Sequence, residues 1–121
     1  MIAAQLDSLL LPYKDIERED TMTDSIRELT LLQPDDWHIH LRDDKALATT
    51  VPHAAQSFNR VICMPNLVPP VKNIDAAQAY RERILQHLAA SDLSAERKAA
   101  FDPRMTLYLT DQTTAQDIEM A

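Results

Sequence analysis

Apolar and polar residues change their spacing several times along the chain, and each change marks an element. Residues 29–41 form the first strand region, divided into two pieces at Pro34, since proline lacks the N–H that a central ladder needs. In Trp37-His38-Ile39-His40-Leu41-Arg42 a period of two puts His38, His40 and Arg42 on one face and Trp37, Ile39 and Leu41 on the other. Residues 46–58 are helical in composition. Pro52 suits a first turn better than a helix interior, so the main helix is expected to begin there, with His53 partly exposed on it. The short apolar run Arg60 to Met64 predicts a second strand, covered on both faces, and Pro65 ends it.

Asn73 or Asp75 caps a helix expected over 74–90. Ala77, Tyr80, Ile84, Leu85 and Leu88 form its apolar stripe; Arg81, Glu82, Arg83 and Gln86 form its solvated face. His87 falls near its C-terminus and reads as surface. Ser94 caps a short helical turn that Asp102-Pro103 stops. Residues 104–110 alternate cleanly and predict a third strand. Thr113 with Gln116, or Thr114 with Asp117, makes a capping box that opens a last helix. Strands alternating with helices imply an α/β fold with a parallel sheet and right-handed crossovers.

Composition narrows the function. The 121 residues carry a net charge of −7, which argues against nucleic acid and anionic membrane surfaces as partners. No apolar run approaches the roughly 20 residues that span a bilayer. The single Cys63 lies in the apolar run Val61-Ile62-Cys63-Met64 and reads as a core thiol, compatible with a reducing cytoplasm. The chain has no glycine, so tight turns must use residues that tolerate positive φ, chiefly Asn and Asp. His38 and His40 fit two readings: paired metal ligands, or solvated imidazoles on an edge strand. Asp35 and Asp36 precede the strand's C-terminal end and are expected to be structural rather than an acid/base pair.

The ordered set Trp37-His38-Ile39-His40-Leu41-Arg42-Asp43, Met64-Pro65-Asn66-Leu67-Val68-Pro69-Pro70-Val71, Tyr80-Arg81-Glu82-Arg83-Ile84-Leu85 and Met105-Thr106-Leu107-Tyr108-Leu109-Thr110-Asp111 resembles the N-terminal part of the single-function bacterial dihydroorotases of the amidohydrolase superfamily. The first two segments are its specific part. Asp44 and Asn59 stand where that family commonly has glycine. The resemblance implies the first three βα units of an incomplete (β/α)8 TIM barrel, since a closed barrel takes eight strands and typically about 250 residues. It implies His38 and His40 as ligands of a two-zinc centre, and His40, Arg42 and Asn66 as substrate-binding residues. The family's carboxylated lysine, two further histidines and proton-transferring aspartate have no matching positions here, so no catalytic residue is assigned within this chain.

The implied reaction is the reversible cyclisation of N-carbamoyl-L-aspartate to dihydroorotate in pyrimidine biosynthesis. The implied partners are this small-molecule substrate and, for the complete protein, a second copy in a homodimer; the implied location is the cytoplasm. The alternative is a truncated or decayed relative with no catalysis of its own. Another amidohydrolase acting on a related cyclic amide is disfavoured by Met64-Pro65-Asn66 together with His40-Leu41-Arg42.

Residues 1–25 fall outside the resemblance and read as an N-terminal extension, disordered or weakly helical, with the amidohydrolase portion over 26–121. The segment lacks the cationic start of a signal peptide, and Asp7 interrupts its apolar stretch. Met22 makes a sensible natural start, and residues 1–21 are then an over-extension of the reading frame. The absence of a C-terminal stop signal after Thr114 gives the expectation of a chain cut within its third helix. Amino-terminal sequencing of the native product is expected to read from Met22 or Thr23; a start at Met1 or Ile2 overturns that expectation.

Overall fold

Parallel strands cannot be joined by a tight turn, because each must return to the same end of the sheet. The computed structural model, which describes residues 30–121, meets this constraint with helical connections. Strand β1 (Asp36–Ile39) leads through a 3-10 turn (Asp44–Ala46) into α1 (Leu47–Ser57). Strand β2 (Arg60–Cys63) is followed by α2 (Ile74–Ala90) and α3 (Ala95–Ala100). Strand β3 (Asp102–Met105) then leads to α4 (Ala115–Glu119). The sheet is wholly parallel, in the order β1-β2-β3. This is the α/β arrangement that the spacing implied. The expected extension over 1–25 lies outside the described residues.

Leu31–Ala121 share one apolar core. Val61 and Cys63 of β2 point into it with Leu41, against Leu47, Val51, Ala54 and Ala55 of α1 and Ala77, Tyr80, Ile84 and Leu88 of α2. Burial pushes the Cys63 thiol up to about 12, so it stays an unreactive core group. The opposite sheet face carries the exposed Arg60 and Arg104 and the half-buried Ile62. Helix α2 has the bounds and stripe that its sequence predicted, with the Asn73 side chain accepting from the Ala76 N–H at 2.9 Å. Ser94 caps α3, and of the two possible capping boxes it is Thr114 with Asp117 that forms.

Four expectations are corrected. Helix α1 begins at Leu47, five positions before Pro52, which lies inside it. Burying Leu47 and Val51 stabilises by roughly 1.5–3 kcal/mol each, enough to offset an interior proline costing about 3 kcal/mol. The carbonyl that Pro52 leaves without a donor belongs to the exposed Ala48, a residue that is not buried away from solvent. The third strand spans Asp102–Met105 rather than 104–110, and it includes the fully buried Pro103. Among the described residues β3 pairs only with β2, and an edge strand tolerates a missing N–H.

Trp37 does not join Ile39 and Leu41 in the core, being 69% exposed. Asp36 pairs with Val61 and Ile39 with Cys63, so β1 holds one residue more than β2 over the same span. This bulge breaks strict alternation before His38, and the Asp36 carboxylate accepts from the His38 N–H at 2.9 Å across it. Fourth, Asn59 does not take the left-handed backbone; among the described residues positive φ occurs at Arg42 (65°) and Asp44 (50°). Asn59 instead accepts from Arg97, whose guanidinium also donates to the carbonyls of Ala55 and Phe58 at the end of α1.

Replacing Ile84 by Ala is expected to lower stability by about 2–5 kcal/mol, whereas Trp37→Ala shifts it by less than about 0.5 kcal/mol. Urea unfolding of the two variants measures both; a Trp37 cost matching that of Ile84 would show that the indole is buried.

Candidate active site

In an open parallel sheet, binding groups collect beyond the carboxyl ends of the strands. Here the three carboxyl ends meet in an open cleft of about 520 Å³, lined by His38 and His40 from β1, Met64, Pro65 and Asn66 after β2, and Leu107, Tyr108 and Leu109 after β3. Each wall is fixed by backbone bonding. The Met64 N–H donates to Ile39 O at 2.9 Å, extending the β1–β2 ladder one residue. Pro65 then offers its carbonyl to the N–H groups of both Leu67 and Val71, each at 2.9 Å, and this turn carries Asn66. The Tyr108 N–H donates to Val71 O at 2.7 Å and the Thr106 hydroxyl to Cys63 O at 2.7 Å, tying the third wall to the second.

The two imidazoles converge. His38 Nε2 and His40 Nε2 are 3.2 Å apart, with their ring planes inclined at 62°. Two nitrogens bound at about 2.0–2.1 Å to one tetrahedral ion sit about 3.3–3.4 Å apart. The pair therefore fits one edge of such an ion, and both side chains are exposed to the cleft. Among the described residues no third His, Cys, Asp or Glu joins them in a metal-sized group.

Of the four residues singled out in the sequence, His38, His40 and Asn66 are brought together in the cleft wall. Arg42 lies two residues beyond His40, is exposed, and is not part of that wall. Its backbone is left-handed at φ 65°, a conformation that costs a residue with a Cβ about 1–2 kcal/mol. Neither neighbouring aspartate forms an ion pair with it. Asp43 is engaged by Arg83 through two bonds, Nε to Oδ1 at 2.8 Å and Nη2 to Oδ2 at 2.6 Å. Arg83 is accordingly half-buried and not part of a wholly solvated helix face. Asp35 and Asp36 do have structural partners: Asp35 pairs with Arg60 and Asp36 closes the bulge.

Sequence spacing does not reveal Leu107, Tyr108 and Leu109 as site residues, because their alternation reads as a continuation of the strand that ends at Met105. The signal that finds them is the parallel topology itself, which puts whatever follows β3 beside whatever follows β1 and β2.

No family model matches the chain. Curated relatives do. The dihydroorotase of Acinetobacter baylyi is 57% identical over 91 residues, covering 75% of this chain and 24% of the relative. That of Teredinibacter turnerae is 58% identical over 100 residues, covering 83% of this chain and 26% of the relative. Among solved structures, a dihydroorotase from Campylobacter jejuni matches 74% of this chain with a TM-score of 0.61 and 32% identity, over 24% of that protein. A dihydroorotase from Saccharomyces cerevisiae, solved in complex with 5-fluoroorotic acid, shares the fold with a TM-score of 0.59 at 22% identity, over 73% of this chain and 22% of that protein. These dihydroorotases are homologues of the chain, which spans about a quarter of their length.

The Arg83 guanidinium holds the Asp43 carboxyl below the usual carboxylate range. A lowered folded pKa contributes stability above the unfolded value of about 4, and that contribution is lost as pH falls through the folded value. Asp43→Asn is therefore expected to be less stable than the parent chain at pH 7, with the difference closing below pH of about 4. Unfolding midpoints measured from pH 7 to 2 check this; a difference independent of pH would contradict it.

Proposed function

We infer that this chain is the N-terminal, strand-borne part of a dihydroorotase, the enzyme that reversibly cyclises N-carbamoyl-L-aspartate to dihydroorotate. The 57% identity to a dihydroorotase over 91 residues carries this reading. It is supported by the convergence of His38 and His40 in a cleft that also holds Asn66. The three βα units take the place of the first three of a (β/α)8 barrel, in which the carboxyl ends of the strands face the site.

In this reading His38 and His40 hold zinc, together with ligands from outside the described residues. Zinc, when bound, supplies Lewis-acid polarisation of the scissile carbonyl and a nucleophile at neutral pH. The chain's own residues do the rest of the binding. The substrate is an anion with a carboxylate. The Arg42 guanidinium offers it two parallel N–H bonds, and the Asn66 amide offers a further donor. His40 lies between His38 and Arg42 along the chain and serves both the metal and the substrate in this reading. Such contacts are equally good for substrate and transition state, so they act on KM more than on kcat. The proton-transferring group is not supplied by the described residues, and the chain alone is expected to turn over no dihydroorotate. The substrate is the expected small-molecule partner, and homodimer assembly and a cytoplasmic location are proposed for the whole protein. No helix among the described residues is long and apolar enough to cross a membrane.

The test is a chimera in which this chain's matching residues replace those of the A. baylyi dihydroorotase. Activity within about tenfold of the parent enzyme is expected, since volume-conserving differences in a shared core cost little. His38→Ala or His40→Ala should lower it by more than about a hundredfold, and Arg42→Ala should raise KM by about a hundredfold at similar kcat. A folded chimera without activity, or one indifferent to the loss of both imidazoles, would overturn the assignment.

A further inference from the structure

The left-handed backbone at Arg42 is held in place by side chains from two helices. The Thr50 hydroxyl of α1 donates to Leu41 O at 2.7 Å. The Tyr80 hydroxyl of α2 donates to Arg42 O at 2.5 Å. Arg83, three residues further along α2, grips the Asp43 carboxylate, and its guanidinium carbon lies 5.6 Å from the centre of the Tyr80 ring. Three successive residues after β1 are thus each tied to a helix by a side chain, and the middle tie falls on the strained residue.

A non-glycine residue with positive φ persists only where its surroundings over-determine it, and such strain clusters at functional sites. Tyr80 is 1% exposed, so its ring is locked in the core and its hydroxyl cannot follow a moving loop. Burial pushes the phenol well above its ordinary value, so it remains an O–H donor at any physiological pH. The buried stripe of α2 therefore includes a fixed donor aimed at the carbonyl of the residue assigned to the substrate carboxylate.

We propose that Tyr80 is a positioning residue for Arg42: its hydrogen bond to the Arg42 carbonyl holds the left-handed turn that sets where the guanidinium meets the substrate carboxylate. This rests on the dihydroorotase reading. Tyr80 touches no reacting atom and acts through Arg42 alone. A one-ångström error in a bidentate clamp is costly, so loss of the hydroxyl registers in binding.

The chimera described above provides the first arm, with dihydroorotate as substrate. Tyr80→Phe is expected to raise KM about tenfold with kcat changed less than about twofold. The effect should vanish when Arg42 is already Ala, because the two residues form one unit. An unchanged KM, or an equal loss with and without Arg42, overturns the proposal while leaving the enzyme reading intact. An inactive unmodified chimera instead strikes the enzyme reading.

The second arm needs no activity and uses the full 121-residue chain. Glycine takes positive φ freely, so Tyr80→Phe should cost less unfolding free energy in an Arg42→Gly background than in the parent. Equal cost in both backgrounds would show that the hydroxyl does not hold this turn, and would overturn the proposal independently.

Discussion

Parallel pairing governs this structure. A strand that must run the same way as its neighbour needs a crossover, and each crossover here is helical. Two consequences follow together. The helices supply apolar stripes that bury one face of the sheet. The three strand ends that would be scattered in an antiparallel sheet are gathered at one edge. Core and cleft are thus two products of a single topological rule: Val61 and Cys63 point to the helices, while His38, His40, Asn66 and Tyr108 collect at the carboxyl ends of the strands.

Stability and function meet at the segment 41–44. Leu41 is a core residue, 1% exposed, and pins the segment from below. Arg42 and Asp44 both have positive φ, in a chain with no glycine to relieve either. Asp44 is a small polar residue that tolerates this conformation; Arg42 gains nothing from it locally. The compensation is distributed over α1 and α2, through Thr50, Tyr80 and Arg83. Such an arrangement makes sense where the side chain has to be presented in one orientation, and less where a turn merely has to reverse the chain.

Charge is used in the same local way. The chain is acidic overall, yet among the described residues its guanidinium groups are mostly committed: Arg60 to Asp35, Arg83 to Asp43, Arg104 to Asp102, and Arg97 to carbonyl groups at the end of α1. Arg42 makes no ion pair among the described residues. In a molecule whose net charge repels anions, an exposed cation two residues beyond His40 is what the anionic substrate of the proposed function would need.

What the sequence determined by itself is local. Caps bond within three residues, so Ser94 could be read directly, Asn73 and Thr114 each as one of two candidates, and with them the bounds of α2. The spacing of His38 and His40 put both imidazoles on one side of the strand without knowledge of any neighbour. Tertiary structure decided everything that depends on a partner distant in the chain. The length of β3 follows its pairing with β2, not its own alternation. The start of α1 follows the burial of Leu47 and Val51, which outweighs Pro52. The bulge before His38 frees Trp37 from the period-two pattern, and register is set between strands rather than within one. The bond from Tyr80 to Arg42 spans 38 positions, beyond the reach of any periodicity, because it exists only once α2 has docked on the sheet.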